Sequence, residues 1–292
     1  MNAGRGKNRV AAFFDLDGTI FPLPSLERRF AGRLRDQGAI PLRNYFLWLG
    51  RAVRLGGHGL VRMSGVNKMY LRDLAVSWGA DVFADAATDV SAATEAAASM
   101  LTGTQSLPGS GLTGVSVLPR FFPGALDRLA RHAAQGHTIV LVTGTLEPLA
   151  KHAALALTLR LLIRDITASV GVCATRLEEI DGRWSGRITG EAMLGDAKAR
   201  AVQHIAACSG FDLARCYAYG NATDDRWMLA AVGRPAAVNP SRELERIARL
   251  RSWPILRWKE KESRRAATAT KTEGGRGVKG TVIPKMNSEI VG

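Results

Sequence analysis

Three short apolar segments of this chain each end in a cluster of small and polar residues. They are residues 10–14, 138–142 and 216–219, and stretches with helical spacing separate them. Short apolar runs of this kind are typical of strands buried on both faces, and their alternation with helices predicts a parallel sheet covered on both sides. Ligands bind to such sheets at the carboxyl ends of the strands. The polar clusters are therefore the first candidates for a functional site.

The composition excludes several classes of protein. Of 292 residues, 46% are hydrophobic and 23% are charged, far from the apolar depletion of a disordered chain. Arginines interrupt even residues 41–63, so no uncharged apolar stretch reaches the roughly 18 residues of a membrane span. The polar, basic start and the early Asp15 and Asp17 predict no signal peptide and a cytoplasmic protein. Three cysteines without metal-ligand spacing predict buried free thiols rather than a disulfide framework or a zinc site.

The pattern divides the chain into three parts. Residues 1–21 and 119–258 carry the strand and helix alternation and predict an α/β core. Residues 22–118 begin with helical spacing, as in Leu26, Phe30 and Leu34, and predict a helical cap inserted after the first strand. Residues 84–116 of this insert are rich in Ala, Ser, Thr and Gly and predict partial disorder. Residues 259–292 are basic and aperiodic, and we expect a disordered tail.

The second half of the chain adds one hairpin signal. Residues 170–177 and 184–188 flank Asp181-Gly182, and an Asp-Gly pair tolerates the left-handed conformations of a tight turn. These two segments are therefore predicted to pair as a β-hairpin. A helix over residues 196–208 is expected to follow.

The net charge is +14, from 40 Lys and Arg against 26 Asp and Glu. Such a charge attracts nucleic acid, an anionic membrane surface or a phosphorylated small molecule, and its sign alone does not choose among them. Much of the excess lies at the two ends of the chain. We expect no stable nucleic-acid partner and no membrane-spanning segment, and the sequence leaves the oligomeric state open.

Two aspartates at the end of the first apolar segment are the strongest chemical signal. Asp15 and Asp17 flank one residue, so both carboxylates can face the ligand edge of the sheet, while Gly18 allows a tight turn. Asp-Gly is also a common turn pair, and the dipeptide alone fits a turn without chemistry equally well.

The residues around these aspartates favour a functional site. The segment Phe13-Phe14-Asp15-Leu16-Asp17-Gly18-Thr19-Ile20 resembles the first motif of the haloacid dehalogenase (HAD) superfamily, closest to its phosphoserine-phosphatase-like branch, subfamily IB. The resemblance implies a Rossmann-like parallel sheet with an inserted helical cap, and a magnesium-dependent phosphatase acting on a small phosphorylated metabolite. It also implies that Asp15 is the nucleophile that becomes phosphorylated. Asp17 would protonate the leaving oxygen and then activate water, and this second acid favours phosphatase over dehalogenase chemistry.

Three later segments resemble the remaining motifs of the superfamily, in the expected order. Val142-Thr143-Gly144-Thr145 resembles the second motif, which implies that Thr143 and Gly144 bind the phosphoryl group. Lys198 resembles the third, whose ammonium neutralises the phosphoryl oxygens. Gly220-Asn221-Ala222-Thr223-Asp224-Asp225 resembles the fourth, which supplies metal-binding side chains. The implied ligands of Mg²⁺ are Asp15, the backbone carbonyl of Asp17, Asn221 and Asp225.

Asn221 departs from the pattern of the branch, which usually has Asp at this position. An amide oxygen can bind Mg²⁺ but contributes no negative charge, so the ion would be held less strongly. A catalytically weakened homologue that acts as a binding or regulatory protein is therefore the main alternative to an active phosphatase. A basic protein whose anionic partner is a polymer is the other.

Overall fold

The computed structural model describes residues 9–55, 65–78 and 121–260. Its main sheet has six strands: β1 Ala11–Phe14, β2 Thr138–Leu146, β3 Val170–Thr175, β6 Tyr217–Gly220, β7 Arg234–Val238 and β8 Ile255–Leu256. The strand order is β3-β2-β1-β6-β7-β8, and all neighbouring pairs are parallel. β1 is therefore central, between β2 and β6. All four of its residues are buried, which explains why its sequence is continuously apolar.

The α-helices of the described residues are α1 Leu26–Asp36, α2 Leu42–Leu55, α3 Pro123–Ala134, α4 Glu147–Leu162, α5 Asp196–Ser209, α6 Arg226–Ala230 and α7 Arg242–Leu250. Helices α3 to α7 cover the two faces of the sheet. Phe14 belongs to the hydrophobic cluster formed with α3 and α4, whereas its neighbour Phe13 belongs to the cluster formed with α5, α6 and α7. Successive strand residues point to opposite faces, so one short strand anchors both layers. The predicted Rossmann-like α/β architecture is confirmed.

The hairpin prediction was wrong in one of its two strands. The hairpin consists of β4 Leu177–Ile180 and β5 Arg183–Ile188, and its turn places Asp181 and Gly182 at φ values of 50° and 73°. Residues 170–175 are instead the parallel strand β3 at the edge of the main sheet. Apolar character alone does not distinguish an edge strand from a hairpin arm, and the break at Arg176 separates the two.

The segment after β1 is helical where the structure describes it. Besides α1 and α2 it contains a short 3₁₀ helix, Met69–Leu71. Phe30 and Leu34 of α1 pack with Trp184 of the hairpin and with Leu146 at the end of β2. Helix α1 therefore lies against the hairpin and the carboxyl end of β2. The predicted low-complexity stretch 84–116 and all of the predicted tail beyond residue 260 lie outside the described residues.

Two smaller expectations have different outcomes. Cys216 is buried as predicted, but Cys173 is only partly buried and Cys208 is exposed, so the prediction of three buried thiols was wrong. Cys208 lies near the end of α5 on its solvent side. Within the described ranges, no helix combines the length and the apolar character needed to cross a membrane.

Candidate active site

The carboxyl end of β1 continues directly into the candidate site. The backbone N–H of Asp15 donates to the carbonyl of Tyr219 at 2.8 Å, which fixes Asp15 beside the end of β6. The chain then turns at Gly18, whose φ of +85° favours glycine. A Cβ atom at Gly18 would lie 2.1 Å from Nδ2 of Asn221. Gly18 is therefore required both by the turn and by the close approach of the loop after β6.

A buried lysine, Lys198, joins Asp15, which follows β1, to Asp225, which follows β6. Nζ of Lys198, in the first turn of α5, donates to Oδ1 of Asp15 and to Oδ1 of Asp225, each at 2.6 Å. All three side chains are less than a tenth exposed. Burial alone would lower the pKa of Lys198, but the two carboxylates outweigh it and hold that pKa above its usual value. Lys198 is therefore charged at neutral pH.

The surroundings of Asp15 disfavour its charged form, in contrast to those of Lys198. Burial, reinforced by the negative charge of Asp225, raises the pKa of Asp15 to about 7, although Lys198 acts in the lowering direction. The ionised carboxylate of Asp15 is thus costly in this pocket without a further positive charge. A cation that binds beside it would favour the ionised form.

Asp225 fixes the loop after β6. Its Oδ2 accepts the backbone N–H groups of Asn221 and Ala222, at 2.9 and 2.8 Å, while its Oδ1 accepts Lys198. The carboxylate therefore closes the turn that carries Asn221 and at the same time holds Lys198. The role of Asp225 as a magnesium ligand stays a prediction, and its observed contacts are those of a residue that positions both neighbours.

One oxygen of Asp15 and one of Asn221 lie near the same hydroxyl, that of Thr19, and both oxygens suit a magnesium ion. Thr19 Oγ1 lies 3.2 Å from Oδ2 of Asp15 and 3.3 Å from Oδ1 of Asn221. One hydroxyl proton cannot satisfy both oxygens fully, so accepting capacity remains on both. Carboxylate, amide and carbonyl oxygens are the ligands that Mg²⁺ prefers. Within the described ranges no cluster of three or more His, Cys, Asp and Glu is arranged as a metal site, so an ion here would depend on Asn221 and a backbone carbonyl.

Asp17 is held at both of its carboxylate oxygens. Oδ1 accepts the backbone N–H of Leu26, the first residue of α1, at 2.8 Å, and Oδ2 accepts the hydroxyl of Thr145 in a short hydrogen bond. Burial raises the pKa of Asp17, against the lowering effect of these two hydrogen bonds. The geometry gives Asp17 a fixed orientation, and burial favours its protonated form.

The structure brings most of the sequence-predicted residues to one place. Asp15, Lys198 and Asp225 are joined by hydrogen bonds, and Asn221 is joined to them through Thr19 and Asp225. Thr143 is buried within β2, and its hydroxyl accepts the backbone N–H of Thr145 at 3.2 Å. Gly144 lies between them, where a Cβ atom would come 2.6 Å from Cδ2 of Leu194. The phosphate-binding roles of Thr143 and Gly144 stay predictions.

Two residues with direct contacts to the aspartates were not predicted. Thr145 binds Asp17, and Thr19 lies between Asp15 and Asn221. A signal for Thr145 was present, because residues two apart in a strand face the same side and Thr145 is two residues after Thr143. Thr19 gave no separate signal, since a Thr after Asp-Gly also fits an ordinary turn.

Most of the chain is similar to known proteins. Residues 12–230 match the haloacid dehalogenase-like hydrolases. A probable phosphatase from Mycobacterium tuberculosis is 29% identical over 254 residues, which cover 85% of this chain and 75% of the relative. A phosphoserine phosphatase from the same organism is 32% identical over 139 residues, covering 48% of this chain but only 42% of that protein.

The crystal structure of a protein with unknown function from Bordetella pertussis Tohama I has a similar fold. It superposes with a TM-score of 0.58 at 24% identity and covers 86% of this chain and 99% of its own. The parallel sheet and the family match over residues 12–230 lead to the same assignment. The chain belongs to the haloacid dehalogenase-like hydrolase family.

Proposed function

We propose that this chain is a magnesium-dependent phosphatase that hydrolyses a small phosphate monoester through an aspartyl-phosphate on Asp15. The observation that carries the proposal is the pairing of a nucleophile with a fixed cation. Asp15 meets Lys198 Nζ at 2.6 Å, and the second carboxylate, Asp17, is held two residues further along the same loop. The relative named phosphoserine phosphatase makes phosphoserine the first substrate to examine.

The proposed reaction assigns a role to each of these residues. A carboxylate oxygen of Asp15 attacks phosphorus, the P–O bond to the leaving group breaks, and Asp17 gives its proton to the departing oxygen. Water then attacks the phosphorus of the aspartyl-phosphate while the Asp17 carboxylate takes a proton from it, which releases inorganic phosphate and restores Asp15. Lys198 offsets the negative charge of Asp15 and of the phosphoryl oxygens throughout. A bound Mg²⁺, held by Asp15, the Asp17 carbonyl and Asn221, would add a second positive charge at the phosphoryl group.

Turnover of an aryl phosphate in the presence of Mg²⁺ is the primary test, followed by a panel of phosphorylated metabolites that includes phosphoserine. Hydrolysis that requires Mg²⁺ and is lost on chelation supports the proposal. No hydrolysis of any member of the panel would favour the weakened homologue, an alternative that Asn221 specifically supports.

Asn221→Asp is expected to tighten Mg²⁺ binding by roughly tenfold, because a carboxylate adds negative charge to the ligand set. Asn221→Ala is expected to weaken binding by a similar factor. The measurement is Mg²⁺ titration by calorimetry, with the Mg²⁺-induced rise in Tm as a second readout that needs no substrate. Equal Mg²⁺ affinity in the wild type and both variants would show that residue 221 does not bind the ion.

Thr145→Val is expected to lower kcat about tenfold to a hundredfold, because Asp17 loses the hydroxyl that orients it. The loss should be larger for alkyl phosphates than for p-nitrophenyl phosphate, since a poor leaving group needs the proton from Asp17 and a good one does not. Thr145→Ser keeps the hydroxyl and is the matched control, expected to retain most of the activity. A loss that is independent of the leaving group would contradict the assigned role of Thr145.

A further inference from the structure

Helix α2 exposes an apolar stripe that its packing does not use. Leu42, Phe46, Leu49 and Val53 are spaced by four, three and four residues, so they lie on one side of the helix. Their exposed fractions are 72%, 67%, 54% and 74%. We call these four residues the apolar stripe. Single exposed apolar residues are common on protein surfaces, but four on one helix form a contiguous patch.

The helix is attached to the protein through a different side. Asn44 is fully buried, and its Nδ2 donates to the backbone carbonyls of Tyr70 and Arg72, at 3.2 and 2.7 Å. Ala52, eight residues later, is also buried. The contacts of α2 with the described residues therefore leave the apolar stripe in solvent.

Positive charge borders the apolar stripe along one edge, where Arg43 and Arg54 lie, whereas Arg51 lies on the far side of the helix from the stripe. α2 contains Arg43, Arg51 and Arg54 and no acidic residue, and Arg43 is paired with Asp73 at 2.9 Å. Arg51 and Arg54 line a groove of about 830 Å³ whose opposite wall is the β4–β5 hairpin, with Arg183 and Arg187. With Arg72, five arginines line the groove against three acidic residues, Asp73, Glu178 and Asp181, so the positive charge is in excess. Ile180, 55% exposed, adds an apolar residue to the rim of that wall. We call this feature the arginine groove.

We propose that the apolar stripe and the arginine groove bind the surface of an anionic lipid bilayer. A helix with one apolar side and arginines beside it lies in the plane of a membrane interface, with apolar side chains at the acyl boundary and cations among the headgroup phosphates. This is an interaction surface separate from catalysis, because no residue that lines the arginine groove belongs to the candidate active site.

Charge and polarity favour a bilayer over two other occupants. A second copy of the chain, docked by a two-fold axis on this face, would bring the same arginines of both copies together. A nucleic acid would engage the arginines through its phosphates but would leave the apolar stripe in water. An anionic bilayer satisfies the apolar and the cationic parts of the surface together.

The test is co-sedimentation of the full-length protein with vesicles of phosphatidylcholine containing about 30% phosphatidylglycerol, compared with phosphatidylcholine alone. The wild type is expected to bind the anionic vesicles at least about tenfold more strongly than the neutral ones. Phe46→Ser/Leu49→Ser should weaken binding to the anionic vesicles by at least about tenfold. Arg51→Gln/Arg54→Gln should weaken it by about tenfold and reduce its sensitivity to salt.

Two matched controls make the result specific to this face. Ile163→Ser/Leu250→Ser removes apolar side chains that are 60% and 74% exposed elsewhere, and should bind vesicles as the wild type does. Arg242→Gln/Arg246→Gln on α7 removes the same charge as the groove variant and should have a smaller effect. The basic residues after 260 are present in every variant, so their contribution does not account for a difference.

Three outcomes would overturn the proposal. One is equal vesicle binding by the Phe46→Ser/Leu49→Ser variant and its control. Another is a fall in Tm or a change of oligomeric state in that variant without loss of vesicle binding, which would mean that protein covers the apolar stripe. The third is salt-sensitive binding of a duplex DNA probe that depends on Arg51 and Arg54, with no binding to either vesicle. Aryl phosphatase activity, if present, should be the same in all four variants.

Discussion

Asp15→Asn should lower kcat for an aryl phosphate by at least about 10⁴-fold, the scale of loss seen when a nucleophile is removed. The substitution keeps the shape of the side chain but removes the oxygen that attacks phosphorus. Lys198 keeps its second partner, Asp225, at 2.6 Å, so the fold should survive. The measurement is steady-state kinetics with p-nitrophenyl phosphate in Mg²⁺, together with thermal unfolding of both proteins.

Asp15 makes the stability of the wild type depend on pH, and the Asp15→Asn variant should lack this contribution. The pKa of Asp15 is about 7 in the folded protein and near 3.8 when unfolded, so the folded state holds this proton more tightly. Between those values the unfolded state loses the proton first, and the contribution of Asp15 to stability falls as pH rises. Without metal, Asp15→Asn should therefore lack that fall. The free energy of unfolding of the variant, relative to that of the wild type, should be higher at pH 7 than at pH 4.

Asp224→Asn is the matched control for Asp15→Asn. Asp224 belongs to the same fourth motif but is exposed, and it has no contact with Lys198. Its substitution should leave kcat within about twofold of the wild type. Retention of most activity by Asp15→Asn, or equal losses in the two variants, would exclude Asp15 as the nucleophile.

Lys198→Met is expected to lower the free energy of unfolding by about 3 to 5 kcal/mol at pH 8, because it leaves Asp15 and Asp225 buried without their shared cation. Methionine fills a similar volume, so the loss is of charge rather than of packing. At pH 5 the deficit should shrink, since Asp15 can take up a proton. Chemical denaturation at the two pH values measures both results, and phosphatase activity should be lost at either.

A second substitution separates stability from catalysis. Lys198→Met/Asp225→Asn removes one of the two uncompensated carboxylates and keeps an oxygen that can accept the N–H groups of Asn221 and Ala222. It should recover much of the lost stability but none of the activity. Lys151→Met, which removes an exposed lysine paired with Glu147 on α4, is the control and should change neither. A stable, active Lys198→Met protein would contradict the proposed role of the cation.

Local sequence was sufficient to predict the sheet and the edge where the site lies. β1 could be recognised because a strand buried on both faces must be continuously apolar, and the two aspartates follow it immediately. Lys198 could not be found in this way, because it lies 183 residues from Asp15 on a helix with no distinctive pattern. Only the resemblance to a known motif identified it.

The wrong hairpin strand and the failure to predict Thr19 and Thr145 have the same physical origin. Residues 170–175 form a short strand separated by one residue from the strand at 177–180, and only the partners they meet in three dimensions assign the first to the main sheet and the second to the hairpin. Thr19 and Thr145 are small polar residues whose roles depend on which carboxylates they meet after folding. Contacts made across long stretches of chain are the part that sequence reasoning recovers least.

The hydrogen bond from the Leu26 amide to Asp17 links the position of helix α1 to the orientation of the proposed proton donor. The helix that starts at Leu26 opens the predicted cap, which we expect to select the substrate by closing over the aspartates, and its first amide fixes the residue that would deliver the proton. An evolving lineage that reshapes this helix to admit a different molecule would also displace its proton donor. New specificity on this scaffold should therefore arise more readily through side chains far along the helix than through any shift of its beginning.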